Sequence, residues 1–201
     1  MIIGTDVDLT IFRTDRMWLA WLEKMFGKKV LPLENIDFDF DNYYLEEHEE
    51  TGNAFTKDWF FNREDFYTKR RLYIMKDAVE VCNRLKARGH RVWAITDSTP
   101  INLVSKFVMC KSVFLMDKVF RRSNKASVDV DIFIDDRNKY LNQFKDKKDT
   151  ILIKVVTPYT QDEELLPEVA ERVKLVEGNG AWYDIYRIIL QEEEKRENLA
   201  K

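Results

Sequence analysis

Four short apolar runs dominate this chain: MIIGTDVD at residues 1–8, RVWAIT at 91–96, VDIFIDD at 130–136 and TILIKVV at 150–156. Runs of this length, rich in β-branched residues and bounded by turn-forming or polar segments, are what strands buried on both faces of a parallel sheet require. Between and beyond them the apolar residues switch to helical spacing, over Lys76 to Arg88 ending at Gly89, over Lys139 to Lys145, and over Ala181 to Lys195, where Trp182, Ile185, Ile188 and Ile189 share one side. A further helix should open at Thr99-Pro100 and run toward Cys110, because threonine caps and proline suits the first helical position. Strands alternating with helices across short loops specify a doubly wound parallel α/β sheet.

One segment breaks the alternation. Residues 13–75 are too many for a simple crossover between the first two strands, so they are expected to form an inserted, mainly helical cap, leaving 1–12 and 76–201 as the α/β core. Its first helix should cover Asp15 to Phe26, with Trp18, Leu19, Leu22 and Phe26 in register, and an acidic stretch from Glu34 to Glu50 should be solvated surface. The composition adds one oddity, 13% aromatic residues in a chain that is 34% charged, and the densest aromatic cluster, Trp59, Phe60, Phe61, Phe66 and Tyr67, falls in this insertion.

The charge balance, 33 basic against 36 acidic residues, argues against a binder of long nucleic acids, which needs a strongly basic face. No apolar run approaches the ~20 residues that span a bilayer, and the first acids come too early for a signal peptide, so a soluble cytoplasmic protein is expected. Cys82 and Cys110 are too few for a disulfide framework, and His48 and His90 cannot build a histidine-rich metal site. Any metal would be held by carboxylates. A homodimer is left open by the sequence.

In open α/β sheets, ligands bind at the carboxyl ends of the strands. There the sequence places Asp6-Val7-Asp8-Leu9-Thr10, then Thr96-Asp97-Ser98, then Asp135-Asp136-Arg137. Each motif alone is common turn chemistry; together, on three strand ends, they describe a charged site. Carboxylates repel one another unless a cation lies among them, and oxygen ligands shared with waters and a phosphate are what Mg2+ prefers. Phosphoryl transfer is the implied reaction, with a carboxylate as nucleophile and a second carboxyl as proton donor and acceptor. Lys106, about 9 Å along the helix from Pro100 at the ~1.5 Å rise of an α-helix, can lean back toward a phosphate at that end, while Lys125 competes for the same role.

This combination resembles the haloacid dehalogenase superfamily of phosphohydrolases, in which the first strand ends DxDx(T/V), the second ends in Ser or Thr, a lysine follows, and a later strand ends in paired acids. The resemblance implies that Asp6 is the nucleophile and a Mg2+ ligand, and that Asp8 is the general acid/base and lends a carbonyl to the metal. It makes Thr96, with the backbone of Asp97, and Lys106 phosphate-binding, and Asp135 a metal ligand with Asp136 beside it. A finer resemblance, to the 5'(3')-deoxyribonucleotidases, rests on Lys106-Phe107-Val108, on Arg122 and Lys125 ahead of Ile134-Asp135-Asp136-Arg137, on MKDAVEVCNRL and on AWYDIYRIIL. It implies a nucleoside monophosphate as substrate, with Phe12, Phe61, Arg122 and Lys125 contacting it. The sequence departs from that pattern at Leu9, where glycine is common, at Asp97, and in a shorter Thr96-to-Lys106 spacing. Other phosphorylated metabolites, a DNA 3'-phosphate end, and a non-catalytic protein on the same fold are the rival readings.

Overall fold

The computed structural model describes residues 1–17, 20, 71–160 and 163–199. Its centre is a sheet of six parallel strands, β1 (Ile2–Thr5), β2 (Arg91–Thr96), β3 (Lys118–Arg121), β4 (Ile132–Asp135), β5 (Ile151–Val155) and β6 (Val173–Val176), in the spatial order β3-β2-β1-β4-β5-β6. From residue 71 on, the described residues form the helices α1 (Ala78–Ala87), α2 (Pro100–Ser112), α3 (Asn138–Leu141), α4 (Pro167–Ala170) and α5 (Ala181–Leu199).

Alternate strand residues feed two cores. Val92 and Ala94, Ile132 and Ile134, and Ile153 and Val155 pack on one face with Val81, Cys82 and Leu85 of α1, Met109 and Cys110 of α2, and Trp182, Ile185 and Ile189 of α5. Trp93 and Ile95, Phe133, and Leu152 point the other way, toward Tyr140 and Leu141 of α3, Phe144 and Val169. Both faces are covered, which is why these strands carry no polar side along their length. Gly4 lies under the second core, where a Cβ would meet Ile95 Cδ1 at 2.7 Å. The absence of a side chain there lets β1 accept that layer.

The sequence reading found β1, β2, β4 and β5 and missed β3 and β6. Those two are the edge strands, four residues each, and they carry exposed Lys118, Arg121 and Leu175, so neither reads as a continuous apolar run. The helix expected at Lys139 to Lys145 is a short α3 continued by a 3-10 turn at Asn142–Phe144.

The chain leaves and re-enters the core through a paired neck. Arg13 N donates to Tyr73 O at 2.8 Å and Met75 N to Ile11 O at 2.8 Å. Residues 14–17 and 20 are helical, in line with the start of the expected cap helix. The rest of the expected cap, including Phe61 and its aromatic cluster, falls on residues 18, 19 and 21–70, outside the described residues.

Candidate active site

The strand order reverses beside β1: β2 and β3 lie on one side of it, β4, β5 and β6 on the other. A crevice opens at such a switch point. Asp6 follows β1 and Asp135 ends β4, with Asp6 N donating to Ile134 O at 2.8 Å, so the two acids are side by side because their strands are. After Asp6 the chain turns sharply. Ile11 N and Phe12 N both donate to Val7 O at 3.0 Å, and Leu9 at the apex has φ 54°, a left-handed conformation stabilised by Leu9 N donating to Thr14 Oγ1 at 3.2 Å. Leu9 is thus the residue standing where the resembling family commonly has glycine, and its backbone is in the glycine conformation.

Two buried ammonium groups knit the acids together. Lys125 Nζ is 2.7 Å from Asp6 Oδ1 and 2.7 Å from Asp135 Oδ2, and its side chain is 1% exposed. Burial alone would lower its pKa, but Asp135 and Asp6 outweigh that and raise it. Lys106, on the inward face of α2 with Asn102, Ser105 and Met109, donates to Thr96 Oγ1 at 2.8 Å and pairs with Asp8. That face is set by the cap of α2, where Thr99 Oγ1 accepts from Asn102 N at 3.3 Å.

Asp6, Asp135 and Asp136 each offer an oxygen within 4.8 Å of the others. Burial, then mutual repulsion, raises the carboxyl of Asp136 well above its ordinary value; burial likewise raises Asp135, opposed by Lys125. Asp136 Oδ2 is buried and has no hydrogen-bond partner among the described residues. Asp6, Asp135 and Asp136 thus bring three carboxyl groups together against one ammonium group, that of Lys125. An all-oxygen donor set whose crowding disfavours ionisation without a cation fits a hard divalent ion such as Mg2+. The carboxylate of Asp8 is not in the cluster, being engaged by Lys106.

Other expected contacts fall elsewhere. Phe12 is fully buried and lies edge-on to Phe114 at 6.1 Å between ring centroids, a position in the first core. The Arg122 side chain is exposed and turned onto Arg121 O, although its backbone N donates to Thr96 O at 3.0 Å. Lys125, expected as a substrate contact and as the alternative to Lys106 for the phosphate lysine, lies with its Nζ between Asp6 and Asp135. Asp97 is exposed, and its carboxylate accepts from Tyr140 Oη at 3.0 Å and Ser123 Oγ at 3.1 Å.

Tyr140 was missed by the sequence reading. It lies one turn beyond the Asp135–Asp136 pair, a position from which helical geometry returns a side chain to the same edge, and its ring centroid is 3.8 Å from Lys125 Nζ. Thr10 was noted in the motif without a role; its Oγ1 donates to Asp136 Oδ1 at 3.4 Å, while its carbonyl accepts from Trp182 Nε1 at 2.9 Å. Both cysteines are buried and unpaired, and burial raises both thiols.

No protein-family model matches the sequence, and no curated protein matches it. The fold does match solved structures. A protein assigned as a beta-phosphoglucomutase, from Thermotoga maritima, superposes with TM-score 0.56 at 12% identity, over 93% of this chain and 99% of that one. The D,D-heptose 1.7-bisphosphate phosphatase of B. bronchiseptica, solved with magnesium and phosphate, gives 0.52 at 13%, over 95% and 98%. A protein assigned as a haloacid dehalogenase-like hydrolase, from Burkholderia xenovorans, gives 0.51 at 16%, over 94% and 96%. The fold is haloacid dehalogenase-like. In this chain the acids after β1 and at the end of β4 share the central crevice.

Proposed function

We propose that this protein is a Mg2+-dependent phosphomonoesterase acting through an aspartyl-phosphate, with a nucleoside monophosphate, preferably deoxy, as substrate. The observation that carries the chemistry is the pairing of two carboxylates with two lysines at the switch point, Asp6 with Lys125 and Asp8 with Lys106, beside the Thr96 hydroxyl. The fold-level neighbours support a phosphatase. The narrower nucleotide reading is supported by the sequence resemblance around Lys106, Arg122 and Ile134 to Arg137.

Asp6, Asp135 and Asp136 would hold the metal, with the Asp8 carbonyl as the resemblance implies. Bound there, Mg2+ supplies charge neutralisation for the transferring phosphoryl group. The chain's own residues do the rest. An Asp6 oxygen forms the new bond to phosphorus as the bond from phosphorus to the leaving oxygen breaks, and Asp8 in its acid form gives that oxygen a proton. The resulting Asp8 carboxylate then takes a proton from water, whose oxygen attacks phosphorus and releases Asp6.

Lys106 links these roles. Here it bridges Thr96 and Asp8, so an incoming phosphate competes with Asp8 for the ammonium group.

The test is phosphate release, with and without Mg2+, from deoxy- and ribonucleoside monophosphates, sugar phosphates and 3'-phosphorylated oligonucleotides. Mg2+-dependent release from the nucleotides, abolished by Asp6→Asn, is expected. Turnover undiminished in Asp6→Asn would refute the mechanism, and a preference for sugar phosphates or oligonucleotides would replace the substrate class.

A further inference from the structure

Asp97 poses a problem that the proposed chemistry does not absorb. It follows Thr96 directly at the end of β2, so a third acid in addition to Asp6 and Asp8 stands next to the hydroxyl meant to receive a phosphate. A like charge there costs affinity for the anion. The structure contains a device that meets this cost. Both oxygens of Asp97 are occupied by hydroxyl donors from other elements: Oδ1 by Ser123 Oγ at 3.1 Å, from the loop after β3, and Oδ2 by Tyr140 Oη at 3.0 Å, from α3. Ser123 is in turn fixed through its carbonyl, which accepts from Gln143 Nε2 at 2.9 Å.

Tyr140 is suited to this role because it is itself held. It is 9% exposed, its ring packs in the second core with Phe133 and Phe144, and the ring face lies over Lys125 Nζ at 3.8 Å. Burial, the largest influence, together with Asp97 raises its pKa, so the hydroxyl remains a donor throughout the neutral range. One side chain therefore touches both the ammonium beside Asp6, with its ring, and the carboxylate of the residue that follows Thr96, with its hydroxyl.

We propose that Tyr140 is a positioning residue for phosphate binding: it anchors the Asp97 carboxylate away from the phosphate position at Thr96 and Lys106, so that only the backbone of Asp97 faces the anion. The role rests on the phosphatase reading above. It predicts a pattern that a merely structural tyrosine would not produce. Tyr140→Phe keeps the ring, its packing and its contact with Lys125, and releases one oxygen of Asp97. In the presence of Mg2+, this variant should bind inorganic phosphate about tenfold more weakly and show a KM raised by about the same factor, with kcat changed much less. Asp97→Ser in the Tyr140→Phe background removes the released charge and should restore both values.

Calorimetric titration with inorganic phosphate and steady-state kinetics on the four proteins, wild type, the two single variants and the double variant, decide the matter. Weaker binding in Tyr140→Phe with recovery in the double variant is the expected result. Unchanged phosphate affinity in Tyr140→Phe, or failure of Asp97→Ser to restore it, would overturn the role of Tyr140 while leaving the phosphatase reading intact. Wild-type protein that neither binds phosphate nor releases it from any substrate in the panel would overturn that reading, and the role of Tyr140 with it.

Discussion

Leu9 shows how this chain resolves a local conflict. Its left-handed backbone costs a non-glycine residue ~1–2 kcal/mol, yet its side chain is only 3% exposed and lies in the first core. Deleting a buried leucine side chain forfeits ~2–5 kcal/mol, so burial outweighs strain. Leu9→Gly should therefore lower the unfolding free energy by roughly 1–3 kcal/mol in denaturant titrations, despite relieving the backbone. A net gain would show that strain dominates. The two lysines should separate by the same kind of reasoning. Lys125→Met leaves Asp6 and Asp135 buried without their cation and should cost about 3–5 kcal/mol in metal-free buffer. Lys106→Met removes the ion pair to Asp8, whose side chain is 31% exposed, so the loss should be near 1 kcal/mol or less while phosphate release collapses. Equal stability losses would contradict this division. At this scale the placement of the acids and Thr96 at strand ends, and of Lys106 inside the helix that follows β2, was legible from the pattern of apolar runs and the Thr99-Pro100 cap. Phe12 and Tyr140 were not: whether a side chain near a motif faces ligand, core or another motif residue depends on turn geometry that residue type does not encode.

Elements were legible in proportion to their burial. β1, β2, β4 and β5 are covered on both faces and read as apolar runs, whereas β3 and β6 border the sheet and mix charge into four residues. α2 was legible from its cap, and Thr99→Ala should reduce stability by ~1 kcal/mol in thermal unfolding. Gly4 is the clearest element-level constraint that pattern reading passed over, because its requirement comes from the next layer. A Cβ at this position would crowd Ile95 Cδ1 at 2.7 Å, Val130 Cγ1 at 3.1 Å and Phe133 Cδ2 at 3.3 Å. The isoleucine tip can rotate, but Phe133 is stacked on Phe144 at 4.5 Å and has less freedom. Gly4→Ala should cost about 1–3 kcal/mol, the usual price of overpacking. A neutral result would mean that this layer is looser than its contacts suggest.

Across the whole molecule, the sheet separates two charged regions. The carboxyl ends of the strands hold the candidate site, and among the described residues no helix is long and apolar enough to cross a membrane. The opposite edge holds His90, ahead of β2, where it is 6% exposed, 3.4 Å from the Met1 amino group through Nδ1 and 3.5 Å from Glu193 through Nε2. This histidine gave no signal in the sequence, since its surroundings come from α5 and the chain start, far away along the chain. Burial, reinforced by the Met1 ammonium and only partly opposed by Glu193, lowers its pKa from the ordinary histidine value. An unfolded chain protonates His90 near pH ~6.5, and the folded chain only at lower pH, so below that value the unfolded state binds more protons and gains relative stability. The contribution of His90 to folding is fully present above its unfolded pKa and falls away as pH drops toward the folded one. His90→Gln cannot take up that proton. The unfolding free energy of the wild type should therefore decline relative to His90→Gln as buffer pH is taken from about 7.5 to about 5.5. A constant difference between the two proteins across that range would show that His90 is as easily protonated in the folded chain as in the unfolded one, and that Glu193 compensates its burial in full.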